Sequence, residues 1–270
     1  MITKSQTFKL TLGLLAAAAC SFVGAQTLST TGQTKYTSTN YSNNSGSSFG
    51  NGNVGAVEFN YNGGSNFWAY CIDPGTGAIL PGAYSTSTLD TFLNGTGTSG
   101  YASQIARGGI YGGLSVSAAS QALVLADLKE LWGHAYSDSL NSNVKAAAFG
   151  MAAWEIIMQN GGITGNAYSI SSGSMRSNGS TSVIDNDSLE LQTTSYLSAL
   201  STNNWSGIGL NPTTNWNYTV YFDGLAPVSQ TFLQVTSNSG SSVPEPGSFA
   251  LAGLALLGVA SARRRIAAKA

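Results

Sequence analysis

The stretch that most constrains this chain is its C-terminal end, residues 243–270. It reads Val-Pro-Glu-Pro, then an uncharged apolar run over 247–262, then Arg263, Arg264 and Arg265. Proline fixes φ and restricts the residue before it, so Pro244 and Pro246 keep the backbone extended and open to an enzyme. The run carries Phe249, Leu251, Leu254, Leu256, Leu257 and Val259, with alanine and glycine between them. As a helix, its 16 residues span roughly 24 Å at ~1.5 Å per residue, a little short of a ~30 Å hydrocarbon core. The arginines beyond it stop transfer and mark the cytoplasmic side. A transmembrane helix over 247–262 is therefore expected. The whole segment 241–270 is read as an address, set apart from the fold.

These parts in this order (Val243-Pro244-Glu245-Pro246, a short span, Arg263 to Arg265) resemble the PEP-CTERM sorting signal of Gram-negative bacteria. The resemblance covers about a tenth of the chain. It implies an exosortase in the inner membrane as partner and cleavage near Pro-Glu-Pro. It further implies release to, or attachment at, the cell surface, often among exopolysaccharide. A plain membrane anchor is the competing reading, but such an anchor needs no Pro-Glu-Pro and usually has a longer span.

The front of the chain is a second address. Lys4 and Lys9 form a charged start, 10–23 is mostly apolar, and Val23-Gly24-Ala25 is a small-residue cleavage site before Gln26. Residues 1–25 read as a signal peptide. A lipoprotein cysteine at Cys20 is the rival, and the alanines before it lack the usual leucine. Fold reasoning then concerns about 218 residues, 26–243, enough for one good-sized domain or two small ones.

Removing the two addresses changes the charge. Lys4, Lys9, Arg263, Arg264, Arg265, Lys269 and Glu245 leave with them, so 5 basic residues face 11 acidic ones, a net charge near −6. No basic patch remains for nucleic acid or anionic lipid. Cys20 leaves too, and Cys71 becomes the single cysteine of an exported domain. An odd cysteine in an oxidising compartment is a buried inert thiol, half of an intermolecular disulfide, or a group bonded to another side chain.

The order of elements predicts an α+β fold. Residues 26–54 are rich in Ser, Thr, Asn and Gly and read as a flexible lead-in or exposed edge strands. The core is placed at 55–240. Val57-Glu58-Phe59-Asn60-Tyr61 alternates as a half-buried strand, Asn62-Gly63-Gly64 turns, and Phe67 to Ile72 follows as a more apolar strand. Helices are expected after Ser87 or Thr88, over 102–111, over 117–135 with Leu123, Leu128, Leu131 and Trp132 apolar, from Ser142 or Asn143 to Gln159, and over 188–200. Strands return over 217–222 and 231–236. One antiparallel sheet built from both ends of the core, with a helical bundle inserted, is the economical solution.

Few residues point to chemistry. His134 is the single histidine; with no second histidine and no nearby cysteine, it argues against zinc and sits where the helix dipole favours a cation. No Gly-x-Ser-x-Gly elbow supports a serine triad. Asp185, Asp187 and Glu190 belong at a helix start for dipole reasons, and their spacing is not that of an EF-hand. No cofactor or metal is implied.

Two stretches remain, Tyr70-Cys71-Ile72-Asp73 and Phe149-Gly150-Met151-Ala152-Ala153-Trp154-Glu155. Together they resemble the thioester domains of bacterial surface adhesins. That resemblance implies an internal thioester between Cys71 and a late glutamine, Gln230 or Gln234, shielded from water by Tyr70, Trp68 and Trp154. Gly150 stands where the family pattern has glutamine. The expectation is a non-enzymatic surface or matrix protein, an adhesin or an exopolysaccharide-associated component with a surface ligand. The alternative is an exported polysaccharide hydrolase using Asp73 and Glu155 as its carboxylate pair.

Overall fold

The alternation at Val57–Tyr61 is the end of a longer strand, β2 (Gly50–Tyr61), which pairs antiparallel with β1 (Thr27–Ser42) from Leu28↔Tyr61 to Tyr41↔Gly50. The structure is a computed structural model and describes residues 26–42, 50–74, 77–94, 118–158, 168–171, 175–177, 186–210, 214–223 and 229–237. The chain divides into Met1–Ser237 and Asn238–Ala270, and every described residue lies in the first. The expected signal peptide, the sorting segment with its helix 247–262, and the expected helix over 102–111 lie outside the described residues. Among the described residues no helix is long and apolar enough to cross a membrane.

After β2, Asn62 (φ 52) and Gly63 (φ 70) take the left-handed conformations a tight hairpin turn needs, and β3 (Phe67–Cys71) returns with Ala56↔Tyr70 and Phe59↔Phe67. Then come β4 (Gly82–Ala83), β5 (Ser85–Thr88), α1 (Leu89–Asn94), α2 (Ala118–Ser139), α3 (Asn143–Met158), β6 (Arg176–Ser177), α4 (Asn186–Thr202), β7 (Trp216–Phe222) and β8 (Phe232–Ser237). β8 pairs with β3 and β7, so the front and back of the core do meet in one antiparallel sheet. The strand order is β4-β1-β2-β3-β8-β7-β5, with β6 on β1. β4 and β5 belong to one run of chain, 82–88, joined at Tyr84, whose N–H donates to the Gln26 carbonyl at 3.0 Å. The path therefore begins and ends on the same run, and the sheet closes on itself.

The two faces of this sheet carry different aromatics. On one, Phe59 lies 4.6 Å from Phe232, Phe67 stacks on Tyr221 at 5.2 Å, and Tyr84 meets Phe232. On the other, Tyr70 packs on Phe149 of α3 at 4.6 Å, and Phe149 on Trp132 of α2 at 4.6 Å. α3 is buried over its whole length from 146 to 158, so it is a core helix apolar all round and not an amphipathic one. Five of its 16 residues are alanines, and Gly150 lets it lie close on β2. A Cβ at 150 would stand 3.0 Å from Val54 Cγ1 and 3.4 Å from the Gly55 nitrogen.

The structure differs from the sequence reading in four places. Residues 26–54 are read as a flexible lead-in or exposed edge strands; strands do form there, β1 and the first half of β2, but they lie inside the sheet, and Leu28, Thr39 and Val54 are fully buried. Threonine is β-branched and suits a pleated surface, which outweighs the low apolar content. The strands β4, β5 and β6 are too short to show a period. Leu123 is half exposed, off the buried stripe of α2. α2 also continues past Gly133 to Ser139, so His134 lies inside the helix; it stacks on Trp205 at 4.8 Å, and its Nδ1 is 3.1 Å from the Leu210 carbonyl.

Candidate functional site

β3 ends at Cys71 because Asp73-Pro74 follows it, and proline cannot continue a ladder. The thiol folds over this end. Its Sγ donates to the Asp73 carbonyl at 3.1 Å and accepts the Asp73 N–H at 3.2 Å. The indole N–H of Trp154, on α3, donates to the Cys71 carbonyl at 2.8 Å. Tyr41, near the end of β1, covers Trp154 with ring centroids 5.2 Å apart. Burial pushes the Cys71 thiol well above its ordinary value, and the neighbouring Asp73 adds to the shift. A thiol so placed is protonated and a poor nucleophile.

The register separates the two candidate glutamines. Cys71 lies opposite Phe232 and Ala69 opposite Gln234. Gln234 is engaged elsewhere, its Oε1 accepting the Tyr221 hydroxyl at 2.6 Å. Gln230 precedes β8 beside Asp73, and its Nε2 is 3.5 Å from the Asp73 carbonyl that also receives the Cys71 thiol. Of the three rings expected around the cysteine, only Trp154 reaches it. Tyr70 and Trp68 alternate onto the opposite face of β3. There the Tyr70 hydroxyl meets Ser139 Oγ at 2.6 Å and Trp68 lies under the Lys35 ammonium at 5.5 Å. Tyr41 takes their place; it sits in the stretch read as a lead-in, so nothing in the sequence drew attention to it.

Residue 150 has no room for a side chain. The Val54 side chain and the Gly55 backbone occupy the space that a glutamine there would need.

The two carboxylates of the hydrolase reading are placed apart in role. Asp73 is 2% exposed beside Cys71. Glu155 is fully buried on α3, with Oε1 accepting the Ser169 N–H at 3.0 Å and Oε2 the Met175 N–H at 3.2 Å. Burial raises Glu155 to about 7, against the lowering effect of those two bonds. Both its oxygens serve backbone amides and neither faces solvent. Asp185 lies outside the described residues, and Glu190 lines a hollow of about 180 Å³ between α4 and the strips 168–171 and 175–177. Among the described residues, no three His, Cys, Asp or Glu side chains group closely enough to hold a metal ion.

The structure thus defines an α+β body with a buried cysteine at the end of a central strand. Its class is set by the C-terminal segment. The family model of the PEP-CTERM protein-sorting motif matches residues 242–265, which include Val243, Pro244, Glu245, Pro246, Arg263, Arg264 and Arg265. The chain carries the sorting motif of exosortase substrates, a signal that implies export and sorting to the cell envelope or surface. No curated protein and no solved structure is matched by the chain. The likeness of the core to adhesin thioester domains gains no support from these comparisons.

Proposed function

We propose that the protein is a non-enzymatic surface or matrix component: a closed sheet-and-helix body exported across the inner membrane, trimmed by an exosortase and left at the cell surface among exopolysaccharide. The observation that carries this is the sorting motif at 242–265. Consistent with it, Glu155 and Cys71 are occupied in holding the fold. The test is fractionation of cells with and without the exosortase gene. The protein should move from the surface or medium to the inner membrane when the enzyme is absent. Unchanged localisation would contradict the reading, as would hydrolysis of a polysaccharide panel that disappears in Glu155→Gln.

A second reading keeps covalent chemistry at Cys71. It is favoured by one observation: the Cys71 thiol and the Gln230 carboxamide converge on the same carbonyl, that of Asp73. Attack of the thiolate on the Gln230 carboxamide would form the thioester and expel one ammonia, lowering the mass by about 17 Da. Cys71→Ala and Gln230→Ala would each remove that deficit. Full mass, with a thiol that titrates only after unfolding, would leave Cys71 as a buried small hydrophobe.

A further inference from the structure

β1 has a partner along the whole of one side and only at the ends of the other. β2 pairs with it from Leu28 to Tyr41. On the opposite side β4 takes Thr27 and Leu28, and β6 takes Tyr41 and Ser42. Among the described residues no strand pairs with the stretch between them on that side. Two bonds show which peptide groups point there. The Asn40 carbonyl accepts the Ser177 hydroxyl of β6 at 3.5 Å, and the Gln26 carbonyl accepts the Tyr84 N–H, next to β4, at 3.0 Å. The N–H and C=O of one residue leave a strand on the same side, and successive residues alternate. The backbone groups of Ser38, Tyr36 and Thr34 therefore face outward, and no hydrogen bond among the described residues reaches them. Thr34 and Tyr36 are exposed, Tyr36 to 40%.

Proteins blunt such edges with proline, charge or short strands. This edge has none of these protections. β1 is 16 residues long, without proline and with one charge, Lys35, whose ammonium is turned onto the Trp68 ring at 5.5 Å. Gly32 (φ 86) and the bulge between Thr30 and Thr34 end the regular stretch on one side, and β6 ends it on the other.

We propose that this edge is a self-association site, where β1 pairs antiparallel with β1 of a second copy about a twofold axis at Tyr36. The register selects a copy of the chain as occupant. Centred on Tyr36, each Tyr36 exchanges both backbone bonds with its counterpart, and each Thr34 does so with Ser38 of the other copy. Lys35 then stands opposite Thr37, so the lysines do not face each other. The tyrosine rings lie on the sheet face away from Trp68 and form a cross-strand aromatic pair. Centring on Lys35 would set the two lysines opposite each other. Centring on Thr37 would need the Asn40 carbonyl, which Ser177 already holds. A ladder this short makes a weak dimer, populated by concentration.

Sedimentation velocity on mature protein isolated from its native cells, over a dilution series, tests this. The wild type should pass from monomer to twice the monomer mass as concentration rises. Tyr36→Lys and Tyr36→Glu each set like charges opposite one another and should stay monomeric alone. Mixed in equal amounts, they should form the dimer again. A wild type that is monomeric throughout would overturn the proposal. So would a dimer that survives Tyr36→Lys, or two variants that fail to recombine. If the variants do not fold, amide exchange on the wild type decides. The Tyr36 and Ser38 amides should gain about tenfold protection or more between dilute and concentrated protein. Amides that exchange equally fast at both concentrations reject the pairing.

Discussion

Gly150 shows how one absent side chain sets the distance between a helix and a sheet. Glutamine there would meet Val54 and the Gly55 backbone and bury an amide in an apolar seam. Gly150→Gln should therefore lower stability by about 2 kcal/mol or more in denaturant unfolding. A variant as stable as the wild type would show that α3 can move off β2. Trp154 acts through one hydrogen bond, its indole N–H to the Cys71 carbonyl. Trp154→Phe puts a smaller ring in place of the indole and leaves that buried carbonyl without its donor, a loss of about 1–3 kcal/mol or more by the same measurement. The residue types at this site were legible in sequence: Cys71, Trp154 and Gln230 were all singled out, and they meet around Asp73 and the end of β3. Tyr41 was not, because a tyrosine among Ser, Thr and Asn gives no periodic signal. Tyr70 and Trp68 were misassigned in role because the alternation of β3 turns them away from the thiol.

Among the elements, those with a long period and a clear cap were legible. Ser142 Oγ accepts the Lys145 N–H at 3.2 Å, and its carbonyl accepts the Ala146 N–H at 3.0 Å, so α3 starts where the sequence placed it. Ser142→Ala should cost about 1 kcal/mol and lower Tm by roughly 2–4 °C for a domain of this size. A Tm unchanged by the substitution would mean that water replaces the cap without loss. The hairpin of β2 and β3 was equally legible, since strict alternation and an Asn-Gly-Gly turn leave little choice. β1 was not, because its strand character rests on threonines that carry no apolar period; of those in β1 only Thr39 is buried. β6 was invisible for another reason: its two residues are placed by Glu155, far along the chain.

At the scale of the whole molecule, the sequence could join the front and back of the core in one sheet, but it could not show that the sheet closes. Closure depends on 82–88, a short run that pairs with β1 on one side of Tyr84 and with β7 on the other. The proposed function has this body carried to its destination by segments outside it, and it stands or falls on their removal. Intact-mass measurement on protein isolated from its native cells is the direct test. The account predicts a chain that begins at Gln26 and lacks the apolar run 247–262. A mass that retains that run would make the C-terminal segment a plain membrane anchor and contradict exosortase sorting.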